Sequence, residues 1–185
     1  MKTTFIFGPL ALSLMLFSCG SNQAKEQQSQ VKNLDIQLDE VALSSKLNTI
    51  DLTKVERLTQ IQYDTLQLAK VEGLQGYDIA DLTMGRVLLS NENGRILTIQ
   101  VVTDGEITEY LLSYDKNGVL QGNLLVAYED MVEYYSEVTS RINSNKIMVQ
   151  TVNFTYGDET GNTLEKADTA VISYQITKDL KIVTD

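Results

Sequence analysis

Apolar and polar residues alternate along the chain from Arg86 onward, in short runs rich in β-branched and aromatic residues. Such runs are typical of strands that bury one face, because successive side chains of a strand point to opposite sides. Turn-forming pairs separate the runs, including Asn93-Gly94, Asp104-Gly105 and Asn117-Gly118. These pairs favour tight hairpins, since both residues tolerate a positive φ. The pattern therefore predicts a mainly β fold in which about eight strands form an antiparallel meander.

The predicted meander has to cover its apolar face, either as a sandwich or as one strongly curved sheet. No long helical pattern separates the strands, so parallel strands with helical crossovers are not expected. The stretches 124–127 and 147–149 are apolar on both faces, which predicts central strands covered from both sides. Other predicted strands have one apolar face, formed by Leu97, Ile99 and Val101, by Tyr110, Leu112 and Tyr114, and by Ala170, Ile172, Tyr174 and Ile176.

Residues 34–84 follow neither the strand period nor the helix period for long. Residues 34–38 alternate as in a strand, and residues 64–71 favour a second one. A short helix is expected within residues 40–60. The N-terminal part of the domain is therefore predicted to be a less regular segment than the meander.

Residues 1–18 have the layout of an export signal. Lys2 gives a positive start, residues 5–17 are apolar, and small residues follow. At 1.5 Å per residue the apolar stretch would span about 20 Å, which is short of the roughly 30 Å hydrocarbon core of a bilayer. The pattern therefore predicts a cleaved signal peptide rather than a permanent transmembrane helix.

The end of this leader, Leu16-Phe17-Ser18-Cys19, resembles the lipobox of bacterial lipoproteins. The resemblance implies that a peptidase cuts between Ser18 and Cys19, and that Cys19 carries a diacylglyceryl thioether and an acyl chain such as palmitate on its amine. Each buried CH₂ group contributes about 0.8 kcal/mol, so two or three chains hold a protein at a bilayer. Polar residues 19–33 are then predicted to be a flexible tether, and residues 34–185 a single β-rich globular domain.

The composition restricts the chemistry of this domain. The chain has no His, and its single Cys lies at position 19. An imidazole base, a thiol nucleophile and a zinc site built on either are therefore not expected, and the sequence indicates no catalytic, cofactor-binding or metal-binding residues. The net charge is −10, which disfavours nucleic acid as a partner because phosphate is also negative.

Carboxylates are the remaining candidates for a site. Asp115-x-Asn117-Gly118 has the first residues of a calcium loop, but Leu124 stands where that loop requires Glu, so a turn explains it better. A loop is predicted over residues 157–168. One acidic group is a candidate for binding Ca²⁺ or for a catalytic acid, or is a solvated strand face, and its members are Glu129, Asp130, Glu133 and Glu137. The acidic residues of the loop are candidates for a binding role, or belong to a mobile hairpin tip, and they are Asp158, Glu159, Glu165 and Asp168.

The whole chain after the leader is similar to small β-rich lipoproteins of gut and oral Bacteroidetes. The similarity is carried by the lipobox, by the tether rich in Gln, Ser and Lys, and by residues 110–120. It implies an outer-membrane protein on the periplasmic or the cell-surface side, and it carries over no catalytic residues. Gly20 after the cysteine fits sorting to the outer membrane.

Three functions remain open for such a chain. The first is a non-enzymatic binding or accessory lipoprotein, whose protein or glycan partner is held by a sheet face or by the 157–168 loop. The second is a hydrolase of glycans that uses two carboxylates in one cleft. The third is a structural component of the envelope. The missing catalytic side chains favour the first.

Overall fold

A computed structural model of the chain describes residues 36–44, 55–130, 136–156 and 164–185, all within one compact unit, Leu34–Asp185. The predicted cleavage and lipidation sites at Ser18 and Cys19 and the predicted site residues Glu133, Asp158 and Glu159 lie outside these ranges. One α-helix, α1, spans Gln60–Thr65, and 3₁₀ turns span Leu68–Lys70, Glu72–Leu74 and Ile79–Asp81. The strands are β1 Val41–Ser44, β2 Leu82–Asn91, β3 Gly94–Val102, β4 Glu106–Asp115, β5 Leu120–Asp130, β6 Ser136–Asn143, β7 Lys146–Tyr156, β8 Leu164–Ile176 and β9 Ile182–Thr184.

Strands β2 to β9 pair in sequence order, and every pairing is antiparallel. The predicted mainly β fold is confirmed: eight strands form an open antiparallel meander that follows a less regular N-terminal segment. The predicted turn at Asp115 is also confirmed. Its side chain accepts the backbone N–H groups of Asn117 and Val119, and Gly118 has the positive φ of 77° that this turn requires.

One strand departs from the simple order. Strand β6 pairs with β5 only over its first residues, Ser136–Val138, and its remainder pairs with β1 at Val41–Ser44. Strands β5 and β1 therefore pair with successive parts of β6. They diverge from each other where one pairing gives way to the other, and the sheet bends there. The bend brings β9 back to β5, where a Cβ atom on Gly122 would lie 3.2 Å from the backbone nitrogen of Ile182. The meander is thus one strongly curved sheet.

Two buried clusters hold this sheet together. The first cluster fills the concave side between β3–β5 and β6–β8, and its members include Ile96, Leu111, Val126, Ile142, Ile147 and Ile176. The second cluster lies on the opposite face of β3 and β4, where the N-terminal segment covers it, and its members include Leu68, Val71, Leu74, Leu97, Ile99 and Leu112. Because β3 and β4 contribute to both clusters, they are the doubly covered strands.

This burial corrects part of the predicted core. The sets on β3 and β4 are confirmed, since Leu97 lies opposite Leu112 and both are fully buried. The expectation for 147–149 is wrong, because Met148 is 48% exposed on the outer face. The set on β8 is only partly right, because Ile176 is buried but Ile172 is 45% exposed, where β8 extends past the first cluster.

The strand predicted for residues 64–71 is also wrong, because α1 and a 3₁₀ turn occupy this stretch. The helix begins at a capping box in which Thr59 accepts the Gln62 backbone N–H, and the Gln62 side chain accepts the Thr59 N–H at 2.8 Å. The spacing Thr59-x-x-Gln62 is a sequence pattern that indicates the start of a helix. Within the described part of the chain, no helix has the length and apolar character to cross a membrane.

Candidate binding site

The outer face of the strands β1, β6, β7 and β8 carries a cleft of about 420 Å³. Directly opposite residues of antiparallel strands point to the same side of a sheet. The register places Arg141 opposite Ala42 and Met148, and it places Gln150 opposite Thr139 and Val171. These side chains therefore form one continuous surface, which we call the outer face.

The outer face combines exposed apolar side chains with one positive charge. Met148 is 48% and Val171 is 55% exposed, although both are apolar. Arg141 alone is charged among the described residues that line the cleft, and its side chain makes no hydrogen bond or ion pair with the described part of the chain. A guanidinium presents five donors in a planar fork that suits carboxylate groups. A concave, partly apolar surface with a few polar groups has the usual chemistry of a binding site.

Strand β8 borders the outer face and has a partly open edge. Strand β9 opposes it only at Tyr174–Ile176, with one more bond from the Asp185 N–H to the Ser173 carbonyl at 2.9 Å. On the edge away from β7, no described strand opposes residues 169–172, and all four of these residues are exposed. The outer face thus continues to a strand whose backbone is available on one side.

The acidic residues predicted as a group are only partly brought together. Glu129 on β5 lies directly opposite Glu137 on β6. Within the described part of the chain, no three acidic residues lie close enough to hold a metal ion. The side chains of Asp130 and Glu133 fall outside the described set.

The second predicted acidic group does not lie wholly within a loop. Strand β7 runs to Tyr156 and β8 starts at Leu164, so the segment between the strands is shorter than the predicted 157–168. Asp168 lies within β8, where it accepts a hydrogen bond from the Asn153 side chain at 2.8 Å.

A buried carboxylate was missed by sequence reasoning. Glu109 on β4 is 1% exposed, and neither of its carboxylate oxygens has a hydrogen-bond partner in the structure. It shares a face with Gln100 and Ala127, which lie opposite it on β3 and β5. Glu109 lines neither the outer-face cleft nor the cleft at Arg57, and its burial without a partner bears on stability.

Three tyrosines also have a structural role, because they fasten the N-terminal segment to the sheet. Tyr114 donates to the carbonyl of Leu66 at 2.8 Å, Tyr110 donates to that of Gly73 at 3.1 Å, and Tyr77 donates to the Glu106 carboxylate. Burial is the main reason that the pKa of each tyrosine lies above its usual value, and at Tyr77 and Tyr110 the nearby Glu106 raises the pKa further. Their hydroxyl groups are therefore occupied and are poor candidates for a ligand site.

A second arginine is likewise used within the fold. Arg57 lines a cleft of about 440 Å³, but its Nη1 donates to the carbonyls of Asp81 and Val102, at 3.1 and 3.0 Å. The bond to Val102 holds this part of the N-terminal segment to β3. Arg141 is thus a better candidate than Arg57 for meeting a ligand. Sequence reasoning missed Arg141 because nothing in its local pattern shows that β1 and β7 flank it.

Comparisons with known proteins add little to this geometry. No protein-family profile and no curated protein matches the chain. Among solved structures, the chain is similar to the β-propeller domain of Nup133 from Vanderwaltozyma polyspora, with 8% identity and a TM-score of 0.27. The match covers 66% of this chain and 43% of that one, so the chain spans less than half of its neighbour. A similarity at this level carries no argument about function.

Proposed function

We propose that this chain is a lipoprotein of the bacterial outer membrane, anchored through acylated Cys19, that binds a partner protein on its outer face without catalysing a reaction. The observation that carries the proposal is the cleft in which Arg141, whose side chain has no partner among the described residues, lies beside the exposed Met148. Apolar surface left in water costs roughly 25 cal/mol per Å², so a partner that covers this surface gains that free energy.

The chemistry of the cleft also supports binding over hydrolysis. A carboxylate-based hydrolase needs two carboxyl groups about 5–10 Å apart in one cleft. The described lining of the outer-face cleft contains no acidic residue, and its polar side chains are hydroxyls, an amide and the guanidinium of Arg141. A carboxylate on the partner is the group that Arg141 would bind best.

The anchor is tested separately from the binding surface. We expect the C19S variant to lose its lipid and to remain an uncut precursor, since the resemblance makes the thiol the acceptor of the lipid. Metabolic labelling with a fatty acid and mass spectrometry of the intact protein measure both effects. Unchanged labelling of C19S would disprove the anchor and leave the binding surface unaffected.

The binding surface is tested by reversing its charge and its polarity. We expect R141E and M148E to reduce partner recovery at least tenfold in cross-linking from intact cells, because each places a carboxylate where an anion or an apolar group would bind. The matched control is V87E, since Val87 is an apolar residue 58% exposed on β2, away from the outer face. Recovery of the partner by R141E and M148E at the same level as by V87E would refute the proposal.

A further inference from the structure

The backbone direction of β8 can be followed from its hydrogen bonds. The Ile176 N–H donates to the Asn145 carbonyl, on the β7 side, at 2.8 Å. The Thr177 N–H donates to the Lys181 carbonyl, on the β9 side, also at 2.8 Å. Backbone groups of successive residues point to opposite edges of a strand, and the β7 register is continuous from Asp168 to Gln175. Odd-numbered residues of this stretch therefore direct their N–H and C=O groups away from β7.

Thr169 and Val171 are the two odd-numbered residues that lie beyond the end of β9. Their N–H and C=O groups point to an edge where no strand of the described chain lies. Their side chains and those of Ala170 and Ile172 are exposed, on both faces of the strand. The edge therefore offers alternating donors and acceptors together with apolar side chains.

This edge lacks the features by which sheets commonly avoid pairing. Exposed edge strands are often interrupted by Pro or Lys, or are very short. Residues 169–172 read Thr-Ala-Val-Ile, and the single proline of the chain is Pro9. Only an extended polypeptide has donors and acceptors at the spacing that such an edge presents.

Charge at both ends of the edge indicates which polypeptide fits. The carboxylate of Asp168 precedes the open residues, and Asp185, which bonds to Ser173, follows them. Both side chains are exposed, and the chain as a whole has a net charge of −10. A strand with basic residues at its ends would meet opposite charge at both places.

We infer that an extended segment of a partner protein, apolar at its centre and basic at its ends, adds as a strand to the edge of β8 at Thr169–Ile172. Val171 connects this edge to the outer face, because it also lines the cleft. The inference deepens the proposed function and rests on it, since the same partner would cover the cleft and pair with β8.

A synthetic peptide tests strand addition directly. The probe is a fluorescent, acetylated peptide of alternating valine and threonine with a lysine at each end, titrated against the full-length protein in detergent. We expect saturable binding that weakens at least about tenfold when alternate backbone nitrogens are methylated, because methylation removes the donors that pair with β8. We also expect glutamate ends or added salt to weaken it. Equal binding of the methylated peptide would overturn the inference.

A proline at the edge tests the same point on the protein. The Val171 N–H points away from β7, so V171P removes one outward donor while leaving the β7 ladder intact. The matched control is V171T, which keeps the N–H and the branched shape. We expect V171P to lose at least about tenfold in peptide affinity and V171T to stay within about threefold. Circular dichroism shows whether V171P is folded, and the methylated peptide decides the matter if it is not.

Cellular capture separates this inference from the proposed function. If R141E and M148E lose the partner and V171P keeps it, the outer face binds the partner without strand addition, and the inference fails alone. If all three variants keep the partner, both the strand-addition inference and the proposed function fail. Loss in all three, with V171T and V87E unaffected, supports both.

Discussion

At the scale of single residues, the most unusual feature is the carboxylate of Glu109 inside the curved sheet. Neither of its oxygens has a hydrogen-bond partner among the described residues, and the adjacent Thr108 also has a buried hydroxyl without one there. A buried polar group without a hydrogen-bond partner costs about 1–3 kcal/mol in lost hydration. The fold tolerates this cost because Glu109 lies on β4, which is held by pairing on both sides and by packing on both faces.

Replacing this carboxylate should stabilise the protein. We expect E109M to raise the free energy of unfolding by about 1–3 kcal/mol, because methionine keeps the length of the side chain and removes the unpaired polar atoms. Urea denaturation followed by circular dichroism measures the change. The control T108V exchanges the other unpaired group for one of the same shape and should stay within about 1 kcal/mol of the wild type. A large loss of stability in E109M would show that the carboxylate has a partner.

At the scale of elements, the three tyrosines decide how the N-terminal segment is held. Between α1 and the start of β2, the hydroxyl groups of Tyr110 and Tyr114 connect the segment to the sheet in place of strand pairing. Gly73 is required for one of these contacts, because a Cβ atom at this position would overlap the ring of Tyr110. This part of the segment is therefore fastened at particular points, whereas β1 pairs with β6 along a ladder.

These contacts predict a loss of stability in alkali. Each tyrosine has a pKa raised by burial, so the folded state holds the phenolic proton more tightly than the unfolded state, whose pKa is about 10. The stabilisation is complete below that pH and is lost as the pH rises above it. We expect the free energy of unfolding to fall by about 1 kcal/mol or more between about pH 9 and pH 11.

The variant Y114F shows whether these tyrosines cause the decline. It should cost about 1 kcal/mol at neutral pH, because the Leu66 carbonyl loses its donor, and it should flatten the decline in alkali. Denaturant titrations at a series of pH values give both quantities. An equally steep decline in Y114F would assign the alkaline effect to other groups.

The elements also show where sequence information was sufficient. Hairpin strands such as β3 and β4 were predictable, because Asp104-Gly105 marks the turn between them and the alternation on both sides sets the register. The structure of residues 64–71 was not predictable. Their apolar positions follow no local helix or strand period, because they are buried by contacts with distant strands. Leu68, for example, packs in the second cluster with residues of β3 and β4.

At the scale of the whole molecule, the two clusters are parts of one cooperative unit. Both clusters use β3 and β4, so the loss of either cluster exposes a face of the same two strands. Small domains built this way commonly unfold in a single transition.

Substitutions in either cluster should therefore weaken the same transition. We expect L68A, in the second cluster, and I147A, in the first, each to lower the free energy of unfolding by about 2–5 kcal/mol. Tyrosine fluorescence and circular dichroism should give coincident curves in both variants. The control I61A, at a side chain 77% exposed on α1, should change stability by less than about 0.5 kcal/mol. Separate transitions for the two probes would show that the clusters unfold independently.

The candidate binding surface could not be predicted at this scale. Alternation predicts that Met148 or Ile147 faces inward, but only the curvature of the sheet determines which one does. Arg141 comes to lie between Ala42 and Met148 because β1 pairs with β6, and this pairing joins residues that are far apart in the sequence. Local patterns contain the strands but not the long-range pairings that assemble the surface.

The pairing of β1 with β6 also has a consequence for the order in which the protein is made. A meander can grow during synthesis, because each new strand finds its neighbour already in place. Strand β1 is the exception, since it emerges from the ribosome first and has to wait until β6 has followed. Until then Leu43, which is fully buried in the finished fold, lacks the strand that pairs with it. The first of the described strands to be made is thus completed only after five others, and its apolar side chain depends on residues synthesised about a hundred positions later.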